Sequence, residues 1–107
     1  MIIEKEFKKI TGPTNLYAYI KINAIKTDSF SFISEIDWPP YIDSKRYEEF
    51  VCKGIKEAIQ EYGYSPQFGT YSLIEVKISK KIDESVPIAY YFAAKQAMQE
   101  FLVICES

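Results

Sequence analysis

The chain has 107 residues, of which 48% are hydrophobic, and a formal net charge of −2. A chain of this length buries about two-thirds of its surface on folding, which suffices for one core, and the apolar content excludes a disordered polymer. The sequence contains no histidine, which removes the commonest general base and metal ligand, and its net acidity offers nucleic acid no global attraction.

The first third of the chain predicts three strands. Residues 2–9 alternate imperfectly and indicate a strand with a charged, exposed side. Turn residues at 11–15 precede residues 16–26, whose strict alternation of apolar and polar side chains is typical of a half-buried strand. After a turn at 27–29, residues 30–37 form the third strand, and these short connections favour an antiparallel meander.

The hydrophobic period then changes to that of a helix. Apolar residues from 47 to 62 recur every three or four positions, with Asp43 or Ser44 as the N-cap and Gly63 as the stop signal. A second helix is predicted from Ser85, its expected N-cap, through Pro87 in the first turn to about Ile104.

Residues 71–80, between the two helices, predict a fourth strand. Its alternation assigns to the buried face Ile74, Val76 and Ile78, and to the opposite face Tyr71, Leu73, Glu75 and Lys77. The sequence therefore predicts an α+β fold of order β-β-β-α-β-α. It is a two-layer sandwich of a four-stranded sheet with two helices on one face, in a single domain of residues 1–107.

Searches for catalytic chemistry give weak signals. The chain has no glycine-rich phosphate-binding motif and no recognised spacing of metal ligands, so no catalytic residue, metal or cofactor is predicted. Cys52 and Cys105 fit neither a CxxC redox motif nor a zinc knuckle and are expected to be reduced thiols, with a disulfide or redox role as the less favoured alternative. An enzyme using Lys81, Asp83 and Glu84 is the least favoured hypothesis.

The location is expected to be cytoplasmic. The first nine residues lack the apolar run of a signal peptide, and no segment reaches the roughly 20 apolar residues of a membrane span. We therefore expect no membrane partner.

Eight of the 17 aromatic residues are assigned to two predicted environments. Five phenylalanines are expected in the core, namely Phe30, Phe32, Phe50, Phe92 and Phe101. Tyr17, Tyr19, Tyr71 and Leu73 are expected on the sheet face away from the helices. Three interpretations stay open for that face: cross-strand tyrosine pairing on a solvated sheet, a dimer or protein interface, and stacking of single-stranded bases.

Three segments resemble domain IV of the translocation factor elongation factor G. YEEFVCKGIKEAI, at 47–59, is similar to its helix with a Lys-Gly-Ile-x-Glu-Ala pattern. LIEVKIS, at 73–79, is similar to its Val-x-Asp-Val-Lys-Val-Thr strand, and IAYYFAAKQAMQE, at 88–100, resembles its last helix, Met-Ala-Phe-Lys-Ile-Ala-x-x-x-Ala-Phe-Lys-Glu. The matches keep the family's order and, with the upstream strands, cover residues 16–101 approximately.

The resemblance implies the left-handed β-α-β arrangement that this domain shares with ribosomal protein S-five, an exception to the usual right-handed crossover. In the family, the domain acts through two tip loops. Here the first loop keeps only Gly12, followed by Pro13, and the second, residues 80–87, has no histidine. We therefore expect the family's fold with altered tip chemistry.

The leading functional hypothesis is a non-catalytic binding module that acts through a protein–protein interface with a partner or a second copy. The alternative is an accessory protein that binds the ribosome or RNA through the tip loops. Its contacts would come from Lys8, Lys9, Lys80 and Lys81.

Overall fold

The computed structural model describes residues 1–11 and 14–106, without the side chains of Thr11 and Thr14. Gly12 and Pro13, inside the predicted turn at 11–15, lie outside the described residues. The elements in chain order are β1 (Ile2–Thr11), β2 (Thr14–Ile25), β3 (Ser31–Ser34), α1 (Ser44–Glu61), β4 (Thr70–Lys77), a 3-10 turn (Ile82–Glu84) and α2 (Pro87–Glu106). The predicted α+β class and order of elements are confirmed.

The centre of the core lies along β2. Its even-numbered side chains Ala18, Ile20 and Ile22 have no solvent exposure, whereas the odd-numbered ones are only half-buried or exposed. The apolar stripe of α1 and that of α2 belong to the same buried cluster as these residues. Both helices therefore cover one face of the sheet, as the alternation of this strand predicts.

The strand order β1-β2-β4-β3 shows that the predicted meander is wrong. β1 and β4 both pair antiparallel with β2, while β3 pairs in parallel with β4. A parallel pair needs a crossover connection, and α1 provides it by carrying the chain from β3 back to β4. β4 therefore occupies the place beside β2 that the meander assigned to β3. The hand of this crossover stays a prediction.

A bulge in β4 corrects the predicted faces of that strand. Leu73 pairs with Ile22 and Glu75 with Lys21, so Ile74 has no partner across the strands. One extra residue reverses the alternation between the faces. Tyr71 and Leu73, predicted on the face away from the helices, are fully buried in the core instead.

Of the four residues predicted to mark helix ends, Asp43, Gly63 and Pro87 have their predicted places and Ser85 does not. Asp43 is the N-cap of α1, and its side chain accepts a hydrogen bond from the Arg46 backbone N–H. Gly63 follows that helix with a φ of +77°, a conformation that favours glycine. α2 begins at Pro87, but its predicted cap is wrong because the Ser85 hydroxyl binds to other partners.

The predicted phenylalanine core is only partly correct. Phe101 is buried, at 4% exposure, whereas the other four phenylalanines are half-buried. Phe92 illustrates the reason, because it stacks on Phe7 of β1 at a centroid distance of 5.3 Å, on the edge strand of the sheet. The largest fully buried side chains are instead Tyr71 and Tyr90.

Candidate functional site

The sheet face opposite the helices, named here the open face, carries alternating charges and two tyrosines. Tyr17 and Tyr19 of β2 lie there, as predicted, because their buried neighbours Ala18 and Ile20 point to the helices. The residues of β1 and β4 that share this face through the strand register are Ile2, Glu4, Glu6, Lys8, Ile10, Thr70, Ser72, Glu75 and Lys77. No helix packs over these side chains in the described part of the chain.

Tyr19 is held by contacts to both neighbouring strands. Its hydroxyl donates a hydrogen bond to the Glu4 carboxylate of β1. The ammonium of Lys77, on β4, lies 4.6 Å from the centre of the tyrosine ring, a cation–π distance. The bond to Glu4 is the main reason that the pKa of Tyr19 rises to about 12. The ring is therefore fixed across three strands.

Tyr17 forms a similar but looser arrangement. Its hydroxyl donates to Glu6 Oε2 at 3.3 Å, and Lys8 Nζ lies 3.3 Å from Glu6 Oε1 and 5.9 Å from the Tyr17 ring centre. Desolvation, followed by the nearby Glu6 charge, raises the pKa of Tyr17. Both tyrosines thus reach diagonally to a glutamate on β1, which is a typical cross-strand contact.

The other two residues predicted for this surface do not lie on it. The Tyr71 hydroxyl donates to the Phe68 backbone carbonyl oxygen at 2.7 Å inside the core, and Leu73 has no solvent exposure. Desolvation strongly raises the pKa of Tyr71. Tyr71 and Leu73 are therefore core residues on the helix side of the sheet. Of the four candidates, Tyr17 and Tyr19 are the two that lie on the open face.

The segment before α2, which the sequence identified as a tip loop, lies against β2 at one end of the sheet. Ser85, fully buried in the segment before α2, donates its hydroxyl hydrogen to the Tyr17 carbonyl oxygen at 2.9 Å and accepts from the Ser79 N–H at 2.7 Å. Tyr47 of α1 donates to the Ser85 carbonyl oxygen at 2.8 Å. The loop after β4 is therefore fastened beside β2.

A cleft of about 410 Å³ lies between the end of the β1–β2 hairpin and this loop, and its lining includes Lys8, Tyr17, Ser79 and Glu84. Glu84 accepts a hydrogen bond from Ser79 Oγ at 2.8 Å. The sequence did not reveal this serine-centred network, because isolated serines in a loop carry no distinctive pattern. Ser85 was the one member of this network that the sequence indicated, and the helix pattern predicted it to be an N-cap.

The four candidate lysines gather at this end of the molecule. Lys8 and Lys9 pair with Tyr17 and Leu16 near the end of β1, and Lys80 and Lys81 are exposed in the fastened loop. Lys8 already contacts Glu6. The structure thus brings the predicted nucleic-acid candidates to one end, with a carboxylate beside at least one of them.

The residues considered for catalysis lie at the surface. Lys81 and Asp83 are exposed, and Glu84 binds Ser79 Oγ. Among residues 1–11 and 14–106, no group of three metal-ligating side chains occurs. Cys52 and Cys105 are free and half-buried, and desolvation raises the pKa of the Cys52 thiol, which lowers its reactivity.

The comparisons with known proteins give a fold and no family. No family model matches the chain, and no curated protein does. A crystal structure of a protein from Thermus thermophilus is similar over 92% of this chain, with 23% identity and a TM-score of 0.75. This chain spans 15% of that protein's length, so the likeness supports the architecture alone. No helix in the described residues is long and apolar enough to cross a membrane.

Proposed function

We propose that this chain is a non-catalytic binding module, related to domain IV of elongation factor G, that binds a protein partner through its open face. The observation that carries the proposal is the placement of Tyr17 and Tyr19 on an uncovered sheet face, each tied to a glutamate of β1. The relationship to the translation factor rests on the residue patterns at 47–59, 73–79 and 88–100.

The fixed tyrosines favour binding for an entropic reason. A tyrosine offers a large contact area with few rotatable bonds, and immobilising side chains is a main cost of association. Tyr19 is already held by Glu4 and by Lys77 before any partner arrives. A partner would therefore contact the ring without the entropic cost of immobilising this side chain.

The surrounding charges suit a polar, specific interface. Lys21 Nζ and Glu75 Oε1 are 3.3 Å apart on the open face, which adds a charge pair beside Tyr19. Paired charges at the rim of an interface select partners of complementary potential more than they add affinity. We therefore expect a partner with apolar or aromatic groups for the two rings and polar groups around them.

Affinity purification from native cells tests this proposal. The variant Tyr17→Ala/Tyr19→Ala is compared with the wild type and with Tyr41→Ala, which removes a tyrosine that is 71% exposed in another part of the fold. We expect a specific partner to be retained by the wild type and the control. The double variant should bind that partner at least about tenfold more weakly in calorimetry, as loss of interface tyrosines does.

Circular dichroism must show that the three proteins are equally folded. Equal binding of the partner by the wild type and the double variant would overturn the role of the open face. Loss of binding in the control alone would assign the interface to the Tyr41 region instead.

A second candidate function, binding to the ribosome or to RNA, is supported by the gathering of lysines at the tip. The Ser85–Tyr17 hydrogen bond holds the loop of Lys80 and Lys81 beside the hairpin end that carries Lys8 and Lys9. Such a cluster would contact phosphates, and its binding would weaken steeply with salt. The net charge of −2 opposes this function, so the protein interface is preferred.

A further inference from the structure

We propose that the free edge of β1 pairs with the same edge of a second copy, which would join two four-stranded sheets into one of eight strands. This interface is the strand edge and differs from the open face, so it goes beyond the proposed function and can fail separately. β1 is the first strand in the order β1-β2-β4-β3 and has ten residues, whereas β3 at the other edge has four.

The direction of the backbone groups of β1 follows from one hydrogen bond and the register. The Ala24 N–H donates to the Met1 carbonyl oxygen at 2.8 Å, so this pair is a hydrogen-bonded one. In an antiparallel ladder such pairs alternate with pairs that exchange no hydrogen bonds. The odd-numbered residues of β1 therefore bind β2, and the outward N–H and C=O groups belong to Ile2, Glu4, Glu6, Lys8 and Ile10.

In one antiparallel register, the side chains of these five residues on one copy are complementary to the same five on the other copy. When Glu6 lies on the two-fold axis, Ile2 of each copy faces Ile10 of the other, and Glu4 faces Lys8. Opposed apolar pairs and opposite charges stabilise neighbouring strands. This register also uses all five outward-facing residues, which makes it the longest pairing that β1 offers.

Neighbouring registers are poorer. Moving the axis to residue 5 places Glu4 against Glu6 twice, and like charges directly opposite each other are destabilising. Moving it to residue 7 sets Glu6 against Lys8, but it leaves Ile2 without a partner on the strand and sets Glu4 against Ile10. In the favoured register the one like pair is Glu6 with its copy, and each Glu6 carboxylate already contacts Lys8 and Tyr17 of its own chain.

The exposed isoleucines at the two ends of β1 support this arrangement. Ile10 is 81% exposed and Ile2 is 54% exposed, so both present apolar surface at the free edge. Lysines on an edge strand commonly discourage pairing. In this register, however, each Lys8 faces Glu4 of the other copy. The lysine charge therefore favours this register of the antiparallel pair. Residues that face each other in an antiparallel pair share a face, so the two open faces would become continuous.

Light scattering after size exclusion and sedimentation equilibrium test the pairing. The wild type is expected to form a dimer of two 12.4 kDa chains. Ile10→Lys and Ile2→Glu each place a charge against isoleucine and should weaken the homodimer at least about tenfold. A mixture of the two variants opposes lysine to glutamate at one pair and restores isoleucine against isoleucine at the other, so a heterodimer should form.

Ile82→Lys is the matched control, because Ile82 is 45% exposed and lies outside the sheet. It should dimerise like the wild type. A wild type that is monomeric at every soluble concentration would overturn the proposal, as would dimers that Ile10→Lys and Ile2→Glu leave unchanged. Dimers that are lost in Tyr17→Ala/Tyr19→Ala but kept in Ile10→Lys would move the contact from the edge to the open face.

Discussion

The Ser85 hydroxyl donates a hydrogen bond to the backbone carbonyl oxygen of Tyr17 at 2.9 Å, across 68 positions of the chain. The same oxygen of Ser85 accepts the Ser79 N–H. One buried side chain therefore joins the end of the β4 loop to the start of β2, directly behind a tyrosine of the open face. Stability of the loop and the position of Tyr17 are coupled through this serine.

Ser85→Ala is expected to destabilise the protein by about 1–3 kcal/mol, because the Ser79 N–H loses its acceptor and the Tyr17 carbonyl oxygen loses a donor. Urea denaturation measures this change. Ser65→Ala is the control, since Ser65 Oγ accepts one hydrogen bond, from the Gln67 N–H, in an exposed loop. Equal losses for the two variants would contradict a special role of Ser85.

Gly54→Ala is expected to cost about 1–3 kcal/mol through overpacking. A Cβ at Gly54 would lie 2.5 Å from the Tyr91 carbonyl oxygen and 3.2 Å from the Ala94 Cβ, because α1 and α2 approach closely at this point. Gln60→Ala is a matched exposed substitution to alanine on α1, and the gain of about 1 kcal/mol in helix propensity from Gly to Ala acts against the overpacking cost. Thermal unfolding compares the three proteins, and a Gly54→Ala variant as stable as the control would show that the helices can separate without cost.

The sequence predicted those elements whose hydrophobic period is regular. β2 alternates without interruption from Leu16 to Ala24, so its buried face was predicted correctly and with it the side of the sheet that the helices cover. The cap of α1 was also predictable, because an aspartate before an amphipathic stripe has a direct local role. Local physics alone determines both features.

The failures come from contacts between distant segments. The bulge at Ile74 depends on how β4 is paired with β2, and its effect was to exchange the faces of Tyr71 and Leu73. Ser85 likewise fits an N-cap locally but is bound by Ser79 and Tyr17 in the tertiary structure. Tyr17 and Tyr19 therefore lie on the open face, whereas Tyr71 and Leu73 lie in the core, and the position of β1 at the sheet edge follows from the strand order.

Alkaline pH is expected to destabilise the protein partly through Tyr19. Its hydrogen bond to Glu4 raises the pKa of the phenol from 10.0 to about 12, so the folded state holds this proton more tightly than the unfolded state. The contribution to stability is present below pH 10 and is lost as the pH rises from 10 towards 12. Tyr19→Phe should show a shallower fall in urea midpoint over this range.

Tyr41→Phe is the control for that pH experiment, because Tyr41 is 71% exposed and should keep the wild-type profile. Tyrosinate absorbance provides an independent measurement of the Tyr19 titration. A Tyr19→Phe profile that coincides with that of the wild type would show that the bond to Glu4 does not persist in solution.

The lysine cluster predicts a specific salt dependence if the tip binds RNA or ribosomes. Each lysine–phosphate contact adds about one unit to the slope of log affinity against log salt, so Lys80→Ala/Lys81→Ala should lower the slope by about two units. Lys26→Ala/Lys45→Ala, which removes two lysines elsewhere on the surface, should leave the slope unchanged relative to the wild type. Filter binding to ribosomes and to structured RNA measures both slopes. An absence of binding at about 50 mM salt, where phosphate contacts are strong, would contradict the RNA and ribosome hypothesis.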